Sequence, residues 1–131
     1  MGIREEAIRL HESGFNCAQS VLCACGKYTG LDDDTALALS AGFGGGVRCG
    51  EICGAISGAV MAIGMAYPFA DASDTNAKER IAALTRECTG HFENEYGCVR
   101  CCELKASGCS CAALIEYAAA LAEDIINVNK K

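Results

Sequence analysis

The sequence predicts an all-α protein, a compact bundle of about five to six helices around a central Gly/Ala-rich helix. Apolar residues recur at helical spacing along most of the chain, and no stretch alternates apolar and polar residues as a half-buried strand would. A single proline interrupts the 131 residues. This length suits one core, so residues 1–131 are expected to form one helical domain.

The first two helices are marked by their ends. The first is expected from Ile3 to Ser13, with Gly14 ending it in the left-handed conformation that glycine adopts readily. Asn16 is then a natural cap for the second helix, because its side chain can accept the free N–H groups of the first turn. Cys17 would be the first residue of that helix, and Gln19 occupies the position that completes a capping box.

Four more helices follow in the pattern. Carboxylates at the start of residues 32 to 41 favour a short third helix, because the beginning of a helix is positively polarised. The fourth is expected from Cys49 or Gly50 to Tyr67, where Pro68 stops it. The fifth should span about residues 74 to 96, and the last should carry an apolar stripe from 111 to 125.

Charge and hydropathy restrict the partners. Eleven Lys and Arg face seventeen Asp and Glu, for a net charge of -6, and this balance disfavours nucleic acid and anionic membranes. The first dozen residues carry charges instead of the apolar centre of a signal peptide, so a cytoplasmic protein is expected. The uncharged stretch 52 to 70 is mostly Gly and Ala, and a buried helix suits it better than a membrane span.

Cysteine is the one extreme in the composition, with 11 residues in 131. Such a count would suggest a disulfide framework in a secreted miniprotein, but in a cytoplasmic protein it points to metal or redox chemistry. The odd number leaves at least one thiol without an intramolecular disulfide partner.

The positions of these cysteines indicate where thiolates would be stabilised. Cys17 follows a cap, Cys49 and Cys53 lie four apart on what should be one helical face, and Cys111 lies near the start of the last helix. The connector adds a CxxC from Cys98 to Cys101 with the vicinal Cys102, and then a CxC formed by Cys109 and Cys111. Sites this rich in thiolate favour iron-sulfur clusters or zinc.

Several segments together resemble one family. They are residues 15–22 (FNCAQSVL), the glycine run 42–46 leading to 53–58 (CGAISG), 92–97 leading to 101–104 (CCEL), and 111–115 (CAALI). The chain thereby resembles the C_GCAxxG_C_C family of redox proteins, which is similar to the cluster-bearing domain of split-Soret cytochromes c. The resemblance implies a helical domain, often dimeric, in which Cys17, Cys53, Cys101 and Cys111 gather as a redox site that holds an iron-sulfur cluster.

The other seven cysteines depart from the family pattern. Cys23, Cys25 and Cys88 read as small core residues on apolar helix faces. The remaining four could replace a ligand or add to the set; they are Cys49, Cys98, Cys102 and Cys109. His11 and His91 are expected to make surface or local contacts, and the glycine run 42–46 lacks the register of a phosphate loop.

Together with the cysteine pattern, the resemblance implies an electron carrier with four cluster ligands, acting as a homodimer with an unidentified redox partner protein. If all four bind one cluster, their sulfur atoms must lie within roughly 7 Å of one another. Two alternatives stay open: a thiol-disulfide enzyme that uses Cys98 and Cys101, and a zinc-binding structural module. The electron donor and acceptor, the cluster type and any enzymatic reaction are not indicated by the sequence.

Overall fold

Eight α-helices make up most of residues 2–129, the part of the chain that the computed structural model describes. They are α1 (Ile3–Glu12), α2 (Cys17–Ala24), α3 (Gly26–Thr29), α4 (Asp33–Ser40), α5 (Gly54–Ala66), α6 (Thr75–Tyr96), α7 (Cys101–Ala106) and α8 (Cys111–Val128). No strand occurs in these residues, where one isolated bridge joins Ile52 to Arg100. The all-α prediction is confirmed.

The turn between α1 and α2 is fixed by the capping box. The backbone N–H of Gln19 donates to Asn16 Oδ1 at 3.0 Å, and the N–H of Asn16 donates to Gln19 Oε1 at 3.1 Å. The amide Nδ2 of Asn16 also donates to the carbonyl of Ala41 at 2.9 Å. One side chain therefore holds the start of α2 and ties it to the segment that follows α4.

The expected start of the fourth helix is wrong. α5 begins at Gly54, and Cys49 lies outside it, so Cys49 and Cys53 do not share a helical face. Residues 45 to 48 form a left-handed turn with φ angles of 64°, 66°, 56° and 60°. Two of these residues are Val47 and Arg48, for which the left-handed conformation costs about 1–2 kcal/mol each.

Two glycines let α5 lie close to α2. A Cβ added to Gly58 would lie 2.8 Å from the carbonyl oxygen of Ala18 and 3.1 Å from Val21 Cβ. A Cβ added to Gly54 would lie 3.2 Å from the backbone nitrogen of Ala18. Larger residues at these positions would push the two helices apart, so this approach depends on the small residues.

Helix α8 packs mainly against α1 and α5, and α6 packs against α5 and, to a smaller extent, α8. The apolar stripe predicted for α8 is buried, including Leu114, Ile115 and Ile125. In α6, Cys88 and Phe92 are fully buried, and Phe92 packs edge-on against Tyr117 of α8 with ring centroids 5.1 Å apart. No helix within residues 2–129 combines the length and the apolar composition needed to cross a membrane.

A cysteine-lined cavity at four helix beginnings

One cavity of about 220 Å³ is lined by all four cysteines on which the family resemblance rests. They are Cys17, Cys53, Cys101 and Cys111. Cys53 and Cys101 are buried, and Cys17 and Cys111 are half-buried. Residues far apart in the sequence thus meet at one place in the fold.

Each of these cysteines lies where a helix begins. Cys17, Cys101 and Cys111 are the first residues of α2, α7 and α8, and Cys53 directly precedes α5 as its cap residue. The first N–H groups of a helix have no partner within the helix, and the helix dipole makes this end positive. Four such ends around one cavity favour negative charge on the sulfur atoms.

A short backbone pairing joins two of the cysteine segments. The N–H of Cys53 donates to the carbonyl of Val99 at 2.9 Å, and the N–H of Cys101 donates to the carbonyl of Glu51 at 2.6 Å. Arg100, between these partners, donates from Nη2 to Glu51 at 3.0 Å and from Nη1 to Glu103 at 2.8 Å. The start of α5 is therefore held against the start of α7.

Glycines make room for the thiols. A Cβ added to Gly46, whose φ is 66°, would lie 2.9 Å from Cys101 Cβ and 2.5 Å from the backbone nitrogen of Glu51. A Cβ added to Gly54 would lie 3.3 Å from Cys17 Cβ and 2.9 Å from the carbonyl oxygen of Phe43. The glycine-rich segment is thus a point of close backbone approach beside the cysteines.

Burial makes two of the cavity thiols, Cys17 and Cys53, harder to ionise. Burial, together with the neighbouring thiols of Cys111 and Cys53, raises the pKa of Cys17 to about 12. Burial also raises the pKa of Cys53, although the N–H groups of Ala55 and Ile56 act in the opposite direction. A metal that binds here must therefore displace protons from sulfur.

The donor set of this cavity fits a thiolate-bound metal centre. Its volume of about 220 Å³ is far above the roughly 10–15 Å³ that a single water needs, so a group of several atoms can enter. Soft thiolate donors suit an iron-sulfur cluster or zinc. Among residues 2–129, however, no three Cys, His, Asp or Glu side chains stand ready-made around a position for one metal ion.

The other cysteines lie outside this cavity. Cys49 and Cys102 are exposed, and Cys98 and Cys109 are half-buried. Burial raises the pKa of Cys98, as do Glu103 and the thiols of Cys109 and Cys102, so these three sulfur atoms lie near one another. The CxxC is therefore divided, because Cys101 lines the cavity and Cys98 does not.

The core cysteines are placed as expected. Cys25 and Cys88 have no exposed surface, and Cys23 is 7% exposed. Burial raises the pKa of Cys25 and of Cys88 to about 12, so both thiols are neutral and unreactive at pH 7.

Sequence reasoning missed three basic residues at the cavity. Arg48, Lys105 and His11 all contribute to its lining. His11 also makes the expected local contact, with Nδ1 3.3 Å from the carbonyl oxygen of Phe15. Lys105 could have been placed, since it lies one helical turn after Cys101 in α7 and so shares its face. Arg48 gave no such signal, because its position depends on the left-handed turn.

An all-α fold that gathers free thiols at one cavity defines a class of cysteine-rich redox proteins. Comparison with known protein families identifies the particular family. The family model described as "Putative redox-active protein (C_GCAxxG_C_C)" matches residues 15–125, so the chain belongs to this family. No curated protein matches the chain. No solved structure matches it either, so the likeness to split-Soret cytochromes c stays an expectation.

Proposed function

We propose that this protein binds an iron-sulfur cluster through Cys17, Cys53, Cys101 and Cys111 and carries electrons with it. The observation that carries the proposal is the common cavity of these four thiols, each at a helix beginning. When bound, such a cluster supplies a centre that takes up and releases single electrons.

The chain contributes three properties to such a centre. The thiols supply the ligands once their protons leave, and the helix beginnings stabilise the negative charge that results. The hydrophobic core behind the cavity limits access of water; Leu114, for example, lines it and is 3% exposed. Burial and local dipoles are two of the features that set a cluster's reduction potential.

The proposal extends to the setting of the protein. A cytoplasmic homodimer that exchanges electrons with a second protein agrees with the family resemblance and with the net charge of -6. Nucleic acid and membrane surfaces are poor partners for such a charge. Sedimentation of the purified chain tests the dimer, since a monomer would contradict that part of the proposal.

The four cysteines could also hold zinc, because the thiolate set suits both metals. Anaerobic purification, followed by reconstitution with ferrous iron and sulfide, separates the two. A cluster gives a broad visible absorption band together with bound iron and acid-labile sulfide. A colourless protein that retains stoichiometric zinc and takes up no iron would refute the cluster proposal.

A thiol-disulfide reaction between Cys98 and Cys101 is the other alternative, and the separate surroundings of these residues weigh against it. Mass spectrometry after mild oxidation would detect their disulfide by the loss of two hydrogens. A Cys98→Ser variant is expected to bind iron as the unaltered chain does. Loss of iron in that variant would instead make Cys98 part of the ligand set.

A further inference from the structure

Two cations at the cysteine cavity have no carboxylate partner in the described part of the chain. Arg48 and Lys105 line the cavity, but the ion pairs found among residues 2–129 do not include either of them. The nearby carboxylates Glu51 and Glu103 are both bound by Arg100, at 3.0 and 2.8 Å. Arg48 and Lys105 therefore bring positive charge to the lining of the cavity that no described carboxylate neutralises.

The backbone at Arg48 points to a role for its side chain. Arg48 has a φ of 60° and directly follows Val47, whose φ is 56°. Side chains other than glycine rarely adopt this conformation, and such strain persists mainly at functional sites. Glycine would relieve it at position 48, yet the sequence has arginine there.

Lys105 reaches the cavity by a different route. It lies four residues after Cys101 on α7, and this spacing puts both residues on one side of the helix. Its stem starts beside the buried Leu104, and its side chain is exposed at the rim. Two independent segments thus bring one cation each to the same cavity.

The charge of a thiolate-bound centre gives these cations a function. Four cysteine ligands bring four negative charges, more than the core of a common iron-sulfur cluster neutralises. The net charge near a cluster is one of the determinants of its reduction potential, because reduction adds a further negative charge. A nearby cation stabilises the reduced form more than the oxidised form and so raises the potential.

We propose that Arg48 and Lys105 are the counter-charges of the metal centre held by Cys17, Cys53, Cys101 and Cys111, and that they raise its reduction potential. This inference rests on the proposed function. It adds two residues that take no part in ligation and that act on the electron affinity of the site.

The test measures the midpoint potential of the reconstituted protein by anaerobic spectroelectrochemistry. Lys105→Met and Arg48→Gly should each shift the reduction equilibrium about tenfold toward the oxidised form, which for one electron is a potential about 59 mV lower. Arg48→Lys keeps the positive charge, so its reduction potential should lie close to that of the unaltered chain. Lys78→Met removes an exposed cation on α6, outside the cavity lining, and should leave the potential unchanged.

Arg48→Gly also separates an electrostatic role from a structural one. Because glycine relieves the left-handed backbone, the urea midpoint of the metal-free variant should equal or exceed that of the unaltered chain. If Arg48 served only the stability of the fold, its replacement by glycine would instead lower the urea midpoint. A higher midpoint in urea together with a lower reduction potential supports the proposal.

The failures can be told apart. If the unaltered chain takes up iron and sulfide but both variants keep its potential, the counter-charge inference is wrong and the proposed function stands. Equal shifts in Lys105→Met and Lys78→Met would also overturn the inference, since they would show a general effect of net charge. If the unaltered chain forms no cluster, both proposals fail.

Discussion

Replacing Gly58 with alanine tests how far the approach of α5 to α2 determines the stability of the fold. The new Cβ would lie 2.8 Å from the carbonyl oxygen of Ala18 and 3.1 Å from Val21 Cβ, both in α2. The contacted atoms are backbone or Cβ and cannot rotate away, so the helices themselves must separate. Such overpacking costs about 1–3 kcal/mol.

Gly64 provides the matched control in the same helix. A Cβ there would meet nothing within 4 Å. Alanine is better than glycine in a helix interior by about 1 kcal/mol, and this gain applies at both positions. Gly64→Ala should therefore stabilise the protein by about 1 kcal/mol, while Gly58→Ala should range from no change to a loss of about 2 kcal/mol.

Urea denaturation of the metal-free protein, followed by circular dichroism, gives both free energies of unfolding. The helix propensity cancels in the difference between the two variants. Gly58→Ala is therefore expected to be less stable than Gly64→Ala by about 1–3 kcal/mol. Equal stability of the two variants would show that α5 moves away from α2 at no cost and would refute the close-approach argument.

Three further predictions concern the thiols and the cap. Cys53→Ser should abolish iron binding while Cys88→Ser retains it, measured as iron per chain after reconstitution; equal retention would remove Cys53 from the ligand set. Burial, with a smaller contribution from Glu87, raises the pKa of Cys88 from an ordinary 9.0 to about 12. Because the pKa of Cys88 is higher in the folded chain than in the unfolded chain, this thiol takes nothing from the free energy of unfolding below pH 9. As the pH rises toward 12, the thiol ionises first in the unfolded chain, and the free energy of unfolding falls by at most about 4 kcal/mol. The free energy of unfolding of the metal-free Cys88→Ala variant should therefore fall less between about pH 8 and pH 11 than that of the unaltered chain. Parallel curves for the two proteins would contradict this prediction. Asn16→Ala should cost about 1–2 kcal/mol in urea denaturation, because it removes a cap and the bond to Ala41; a smaller loss than in Ser110→Ala, which removes a simple cap from α8, would speak against the second bond.

Local signals in the sequence predict most of the helices. The capping box of Asn16 and Gln19 fixed the start of α2 to the residue, and the stripe in α8 identified its buried face. Both are interactions between residues a few positions apart, which a single sequence displays directly. The family resemblance then selected four of the cysteines, and the structure brings those four to one cavity.

The segment before α5 could not be predicted in this way. Its left-handed turn contains Val47 and Arg48, which local preference would exclude from that conformation. The segment that follows the turn is held by contacts between residues distant in sequence, namely the pairing of Cys53 with Val99 and of Cys101 with Glu51. The short helix α7 was missed for a different reason, because six residues show too little periodicity to be recognised.

The cavity draws its walls from both ends of the chain, and this affects when it can form during synthesis. Cys17 emerges from the ribosome early, whereas Cys111 belongs to α8, the last helix. At about 5–20 residues per second, the first thiol waits several seconds before the fourth is made. The complete cavity, and any centre held by all four thiols, can therefore form only after α8 has been synthesised and has docked. A truncated product that lacks α8 would keep three of the four cysteines but not the site.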